Sequence, residues 1–316
     1  MSLTSLFRTP PPNVALDIGP RHIAAVALAG GSGEPPRLTA VVVEPLPEGA
    51  VVPSLTASNL ARPADVAAAL ARVWEQLGQR PRRVALVVSD TVGKVSLVRF
   101  QQTPSRTADL DELIKFQLKK TAPFRVEDSQ ISYLPGARTD EGQEYVVVQA
   151  RRDIIAEYEQ ACAATGAVAG ATELATFGVS HCVRAAAGEI EGDWLLIHTT
   201  DDGTSLAIYR GGSLVFFRHR GADGDGHLIE MAHQTAMYYQ DRLGGRGFSR
   251  VIVGGTPSAA LSAGGWRDIQ ARLGVAAEVV DPARALAPSG KTSWSASTME
   301  AAVPALGVAL ALRADV

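Results

Sequence analysis

The chain has 316 residues, 30 Lys plus Arg against 33 Asp plus Glu, and two cysteines, Cys162 and Cys182. At about 150 residues per domain this is two domains or one large one with an insertion, with enough chain to bury a core without a disulfide or metal staple. The net charge of −3 excludes the basic footprint of a nucleic-acid binder, and two cysteines exclude a disulfide framework or a cysteine-based zinc module. Both cysteines lie in helical patterns among small apolar residues and are expected as buried thiols. Residues 1–12 lack the apolar stretch of a secretory signal, and no run reaches the ~18 apolar residues of a membrane span, so the expected location is the cytoplasm.

The first ordered segment, Val14 to Ile18, is an apolar strand. It turns at Gly19-Pro20-Arg21 into a second strand, Ile23 to Leu28, and a third apolar run at Leu38 to Val43 completes a meander. Val66, Leu70, Val73, Trp74 and Leu77 form a helix stripe between Pro63 and Gly78, and Arg83 to Ser89 returns as a buried strand. Lys94 opens a different region. It holds a strand to Phe100, a helix from Asp109 to Thr121 with Asp109 and Glu112 as a capping box, strands at 130–134 and 145–150, and a helix capped by Asp153. Four of the five lysines fall between Lys94 and Lys120, a pattern that fits a solvated helix face or a partner surface. After a helix at 174–187, Trp194 to His198, Thr204 to Tyr209 and Ser213 to Arg218 repeat the meander. Helix 228–243, strand 251–253 with Gly254-Gly255, helix 258–273, strand 277–280 and a helix near 299–312 follow. Two meanders, each followed by helix and strand, imply a duplicated α/β protein with a cleft between its halves.

This order, with Asp17-Ile18-Gly19 in the first turn and Val253-Gly254-Gly255 after a late strand, resembles the actin-like (ribonuclease H-like) ATPases. The segment from Leu113 to Pro123-Phe124, with Tyr133 and Val146 to Arg151, resembles the PilM family of pilus assembly proteins, related to the division protein FtsA. The resemblance implies a two-lobed fold with an FtsA-type inserted subdomain and a reduced second-lobe lid. The expected boundaries are 13–93 and 169–190 for the first lobe, 94–168 for the insert and 191–316 for the second lobe. It further implies a cytoplasmic protein held at the inner membrane by a partner, whose N-terminal peptide (that of a PilN-like bitopic protein) lies between the first lobe and the insert. Phe100, Phe116, Pro123 and Phe124 are the candidate peptide contacts; core packing of those aromatics is the alternative.

In the actin-like ATPases two hairpin turns hold phosphates and magnesium through backbone N–H groups, small hydroxyl residues and an Asp in each turn. By that resemblance Asp17, Gly19, Arg21, Gly203, Thr204, Gly254 and Gly255 are the candidate nucleotide contacts, with ATP and magnesium as the implied ligands. The residues themselves argue against hydrolysis. Pro20 has no N–H to give, and His198 stands where the second Asp belongs. In that alignment Asp201 and Asp202 take phosphate-facing positions, a shifted alignment making Asp202-Gly203-Thr204 the phosphate loop instead, and only residues 221–226 remain where a lid belongs. The run ending Gly290-Lys291-Thr292 is a chance phosphate-loop match, and His227, Glu230 and His233 supply too few ligands for a metal. The expected function is a scaffold of a type IV pilus or related secretion platform, with self-association an open question. An active ATPase or sugar-kinase relative is the alternative, and a membrane-tethered filament ranks below it, because 308–316 lacks a basic amphipathic helix.

Overall fold

Strand β1 (Val14–Ile18) is buried on both faces because its residues alternate between two cores. Val14, Leu16 and Ile18 face outward to helices, while Ala15 and Asp17 face the other lobe. A computed structural model describes residues 11–30, 36–222, 227–255, 263–287 and 294–314. Around β1 lie β2 (His22–Ala29), β3 (Arg37–Pro45), β4 (Arg83–Val88) and β8 (Val168–Leu174), in the order β3-β2-β1-β4-β8. The second sheet repeats that plan with β9 (Asp193–Thr200), β10 (Gly203–Arg210), β11 (Ser213–Gly221), β12 (Arg250–Gly255) and β13 (Ala277–Val279), ordered β11-β10-β9-β12-β13. In each, an antiparallel meander precedes parallel strands. Strand β8 closes the first sheet, although the sequence pattern shows no strand there.

Helices α1 (Pro63–Leu77) and α3 (Arg152–Ala163) cover the outer face of the first sheet. Helices α5 (His227–Leu243) and α6 (Ala263–Leu273) cover that of the second. Between the sheets lie α4 (Ala175–Ala187) and α7 (Ala296–Ala314), whose apolar residues join both lobes in one core. Although α7 follows the second sheet in sequence, it packs on β1, β2 and β3 as well as β12. Pro304 is tolerated inside α7, which crosses α4 at near backbone contact. A Cβ on Gly307 would lie 1.7 Å from the Gly178 carbonyl oxygen.

The insert is a separate three-stranded sheet, ordered β5-β7-β6, of β5 (Gly93–Phe100), β6 (Ser129–Thr139) and β7 (Gly142–Arg151). Helix α2 (Thr107–Leu118) seals one face over Val98, Tyr145 and Val147. The capping box expected at Asp109 is absent, because α2 starts at Thr107 and Arg106 sits at its N-cap without a side-chain bond. Asp153 likewise lies in the first turn of α3, its carboxylate bound to Arg151, rather than at the cap. Cys162 and Cys182 are buried, and burial pushes both thiols up to about 12. Among the described residues, no helix is long and apolar enough to cross a membrane. The chance phosphate-loop match ending at 290–292 lies outside the described residues.

Candidate functional site

The period-2 alternation that builds the inner core also sets the chemistry of the interlobe cleft. On β1 the inward register ends at Asp17; on β9 it ends at His198, on β10 it includes Ser205 and on β11 it includes His219. The chain after β4 contributes Ser89 and a short 3-10 turn at Asp90–Val92, and α4 contributes Thr176 from its first turn.

These groups bond to one another across the lobes. Asp90 accepts from the Thr176 backbone N–H (3.1 Å), from the Thr176 hydroxyl, and from the Ser205 hydroxyl at 2.7 Å. Asp202, on the β9–β10 turn, accepts from Ser89, from Thr91 (2.9 Å) and from Thr200 (2.9 Å). His198 Nδ1 lies 2.9 Å from the Thr176 hydroxyl and 3.6 Å from Asp90. His219 bridges the two halves of the network, with Nδ1 2.9 Å from Ser205 Oγ and Nε2 2.9 Å from Thr91 Oγ1. Each hydroxyl has a single proton. Those of Thr91 and Ser205 point to carboxylates, so both His219 nitrogens face oxygen lone pairs.

The carboxylates are set apart by this wiring. Burial would raise Asp90, but the hydrogen bond and charge of His198, the charge of His219 and the Thr176 hydroxyl hold it at about 2. Asp17 is pushed up to about 8 by burial and then by the charges of Asp202 and Asp90. At the rim, Arg21 reaches Asp201 (3.4 Å), tying the first hairpin turn to the second through a solvent-exposed pair worth at most about 1 kcal/mol.

A triphosphate needs backbone N–H groups it can approach and a cradle left empty by small residues. Here the cradle is filled by the chain itself. A Cβ on Gly203 would meet the Arg220 carbonyl oxygen at 2.3 Å, on Gly255 the Thr199 carbonyl oxygen at 1.9 Å, and on Gly254 a Val179 methyl at 2.8 Å. These glycines are required by strand packing. Thr204 pairs in the ladder with Thr199 and Arg220, and Gly19 closes the β1–β2 turn on the His22 carbonyl. Among the described residues, no group of three or more His, Cys, Asp or Glu side chains is disposed to hold a metal ion. The residues present do not fit ATP and magnesium. The structure gathers Asp17, Arg21 and Gly203 at this cleft, beside a network the sequence reading did not name: Ser89, Asp90, Thr91, Thr176 and Ser205, bonded to one another and to Asp202, His198 and His219. Position was the available signal, since Ser89-Asp90-Thr91 follow the carboxyl end of a parallel buried strand, where α/β sheets place their functional groups.

A second feature lies between the insert and the lobes. A cavity of about 470 Å³ is walled by Leu134, Val146 and Val148 of the insert sheet, by Phe177 of α4, and by Tyr209 and Leu214 of the β10–β11 hairpin. Phe100 does not line it; its ring packs against Tyr145 (centroids 6.1 Å apart) on the opposite face, under α2. Phe116 is 62% exposed on α2, with the Lys120 ammonium 5.4 Å over its ring, and borders a different cavity of about 490 Å³. Pro123 is exposed and Phe124 half-buried in the turn after α2. The four form no common surface with the groove.

The family of type IV pilus assembly protein PilM matches residues 15–242. The chain belongs to that family. Among solved structures, a PilM–PilN type IV pilus biogenesis complex superposes with a TM-score of 0.80 at 20% identity, covering 97% of this chain and 99% of that one. This establishes the fold of the PilM-like chain as the actin-like two-lobed α/β fold with its insert. The cytoplasmic domain of EpsL, from the type II secretion system of Vibrio cholerae, gives 0.48 at 11% identity, covering 76% of this chain and 80% of that one. A Bacteroides thetaiotaomicron protein of actin-like ATPase fold gives 0.49 at 9% identity, over 90% and 95%. No curated protein matches.

Proposed function

We propose that this PilM-like chain is a scaffold of a type IV pilus or related secretion platform, held peripherally at the inner membrane by a PilN-like bitopic partner whose N-terminal peptide it binds. The groove between the first lobe and the insert carries this reading. Leu134 stands 72% exposed at its rim, and Val146, Val148, Phe177 and Leu214 supply apolar walls for an extended segment with alternating apolar side chains. The solved relative of the same fold is a PilM–PilN complex, which supports a partner of that kind. ATP turnover is not part of the reading, because Asp90 and Asp202 are taken up by the hydroxyls of Ser89, Thr91, Thr176 and Ser205.

Fluorescence anisotropy with a labelled synthetic peptide from the partner's cytoplasmic N-terminus tests it. Binding should saturate, and Leu134→Asp should weaken it at least about tenfold, as expected when a charge replaces an apolar contact. Phe116→Ala should leave it unchanged. The reverse pattern would move the peptide to the α2 face, and absence of binding would sink the reading. Magnesium-dependent ATP turnover abolished by Asp17→Ala would instead favour the ATPase reading.

A further inference from the structure

The cleft's polar groups do more than fail to fit a nucleotide. Two of them, Thr176 and His219, lie on elements that wall the groove. Thr176, which gives both its backbone N–H and its hydroxyl to Asp90, opens α4, and Phe177, Ser180, His181 and Arg184 of that helix line the groove. His219 lies on β11, whose other end supplies Ser213 and Leu214 to the groove and whose length packs on β5 and β6. One residue from each of these two elements, Phe177 of α4 and Phe217 of β11, meets its counterpart directly, with ring centroids 5.6 Å apart.

We infer that the former nucleotide cleft is an interlobe lock, in which Ser89, Asp90 and Thr91 of the first lobe hold Asp202, Ser205 and His219 of the second, while Thr176 ties Asp90 to His198, and the wiring thereby fixes the spacing of the groove walls. The lock replaces a bound ligand as the group that sets how the lobes sit. In an ATPase of this architecture the two turns grip a shared anion. Here one lobe's hydroxyls grip the other lobe's carboxylate directly. Seven buried or half-buried polar side chains are satisfied within the network, so removing one donor leaves a buried acceptor short of a partner and loosens both elements attached to it.

The inference takes from the preceding section only the identity of the groove, and it is tested without a peptide. Hydrogen exchange is followed by mass spectrometry on the full chain, wild type against Thr176→Val and Ser205→Ala, with Thr176→Ser as the conservative control. Losing one such bond should speed exchange about tenfold in α4 and in the β10–β11 hairpin, leave the β2–β3 hairpin unchanged, and be restored by Thr176→Ser. Faster exchange confined to the residues flanking the substitution overturns the coupling, as does acceleration spread evenly through β2–β3, which would mark general destabilisation. A second arm adds about 5 mM magnesium-ATP to the wild type, enough to stabilise any site of micromolar affinity by several degrees. No shift in Tm and no protection are expected; protection of the cleft that Asp17→Ala removes would overturn the lock. If the wild type binds no partner peptide, the scaffold reading fails while the exchange result still decides the lock.

Discussion

Asp17 and Asp90 lie at the ends of neighbouring parallel strands and are opposite in chemistry. Asp90 has hydrogen-bond donors aimed at it and two imidazoles beside it; Asp17 has burial and two like charges. Linkage turns that difference into opposite pH effects. The native state holds the Asp17 proton up to about 8, while the unfolded chain releases it near 3.8, so stability falls as pH rises through that window. Asp17→Asn should flatten this slope and raise stability at pH 8 by at least about 1 kcal/mol, read as a higher urea midpoint. Asp90 is held at about 2 in the native state, so its contribution is complete above 3.8 and is lost as pH falls from 3.8 through 2. Asp90→Asn should therefore destabilise at pH 7 and cost progressively less in acid. A wild-type stability that rises between pH 5 and pH 8, with Asp17→Asn parallel to it, would contradict the assignment of Asp17 as the protonated member.

At the scale of elements, the sequence was most legible where one periodicity ran uninterrupted. Pro63 at the first turn, Gly78 in the left-handed conformation (φ +65°) and the stripe Val66, Leu70, Val73, Trp74 delimit α1 as expected. Both meanders and the buried strands after them were readable for the same reason. Strand β8 was not, because Val168-Ala169-Gly170-Ala171-Thr172 is small and half-exposed and is held in the sheet by its parallel neighbour β4. The cleft was half legible. Asp17, Arg21 and Gly203 announce themselves by motif, whereas Thr176 and Ser205 are single hydroxyls whose partners lie 86 and 115 residues away. The groove was least legible, since the aromatics that stand out in sequence turned to α2 and the residues lining the groove are ordinary valines and leucines. The α4–α7 crossing was equally hidden, because Gly178 lies inside a helix where glycine costs ~1 kcal/mol against alanine. The space explains it: a Cβ at Gly178 would stand 2.4 Å from the Pro304 carbonyl oxygen. Gly178→Ala, which improves intrinsic helix propensity, should instead lower stability by about 3 kcal/mol through overpacking, seen as a fall in Tm of about 5 °C or more. An unchanged or raised Tm would show that the helices can part without loss.

For the whole molecule, the arrangement of cores decides what unfolds together. Ala15, Val87, Leu196, Ala207 and Ile252, from both sheets, share one core with α4 and α7, so neither lobe has a complete interior without the other. The insert has its own, built from Val98, Leu110, Ile114, Leu118, Tyr145 and Val147. In global unfolding the lobes should open as one cooperative unit and the insert as another, with the sub-global opening of α4 and the β10–β11 hairpin lying below the first. Two core truncations separate these outcomes. Val147 is fully buried in the insert, and Val147→Ala should cost about 2 kcal/mol, speeding exchange in β5, β6 and β7 roughly thirtyfold while β1 and β9 keep their protection. Leu306 is fully buried on α7 between the sheets, and Leu306→Ala should cost about 3 kcal/mol and lower the protection of β1 and β9 roughly 160-fold. If Leu306→Ala loosens only one sheet, the lobes are independent bodies and a cleft lock has nothing to hold. If both sheets respond together, the insert is the part free to move against a rigid two-lobed body. Its inner face carries Leu134, Val146 and Val148, so that motion sets the width of the groove.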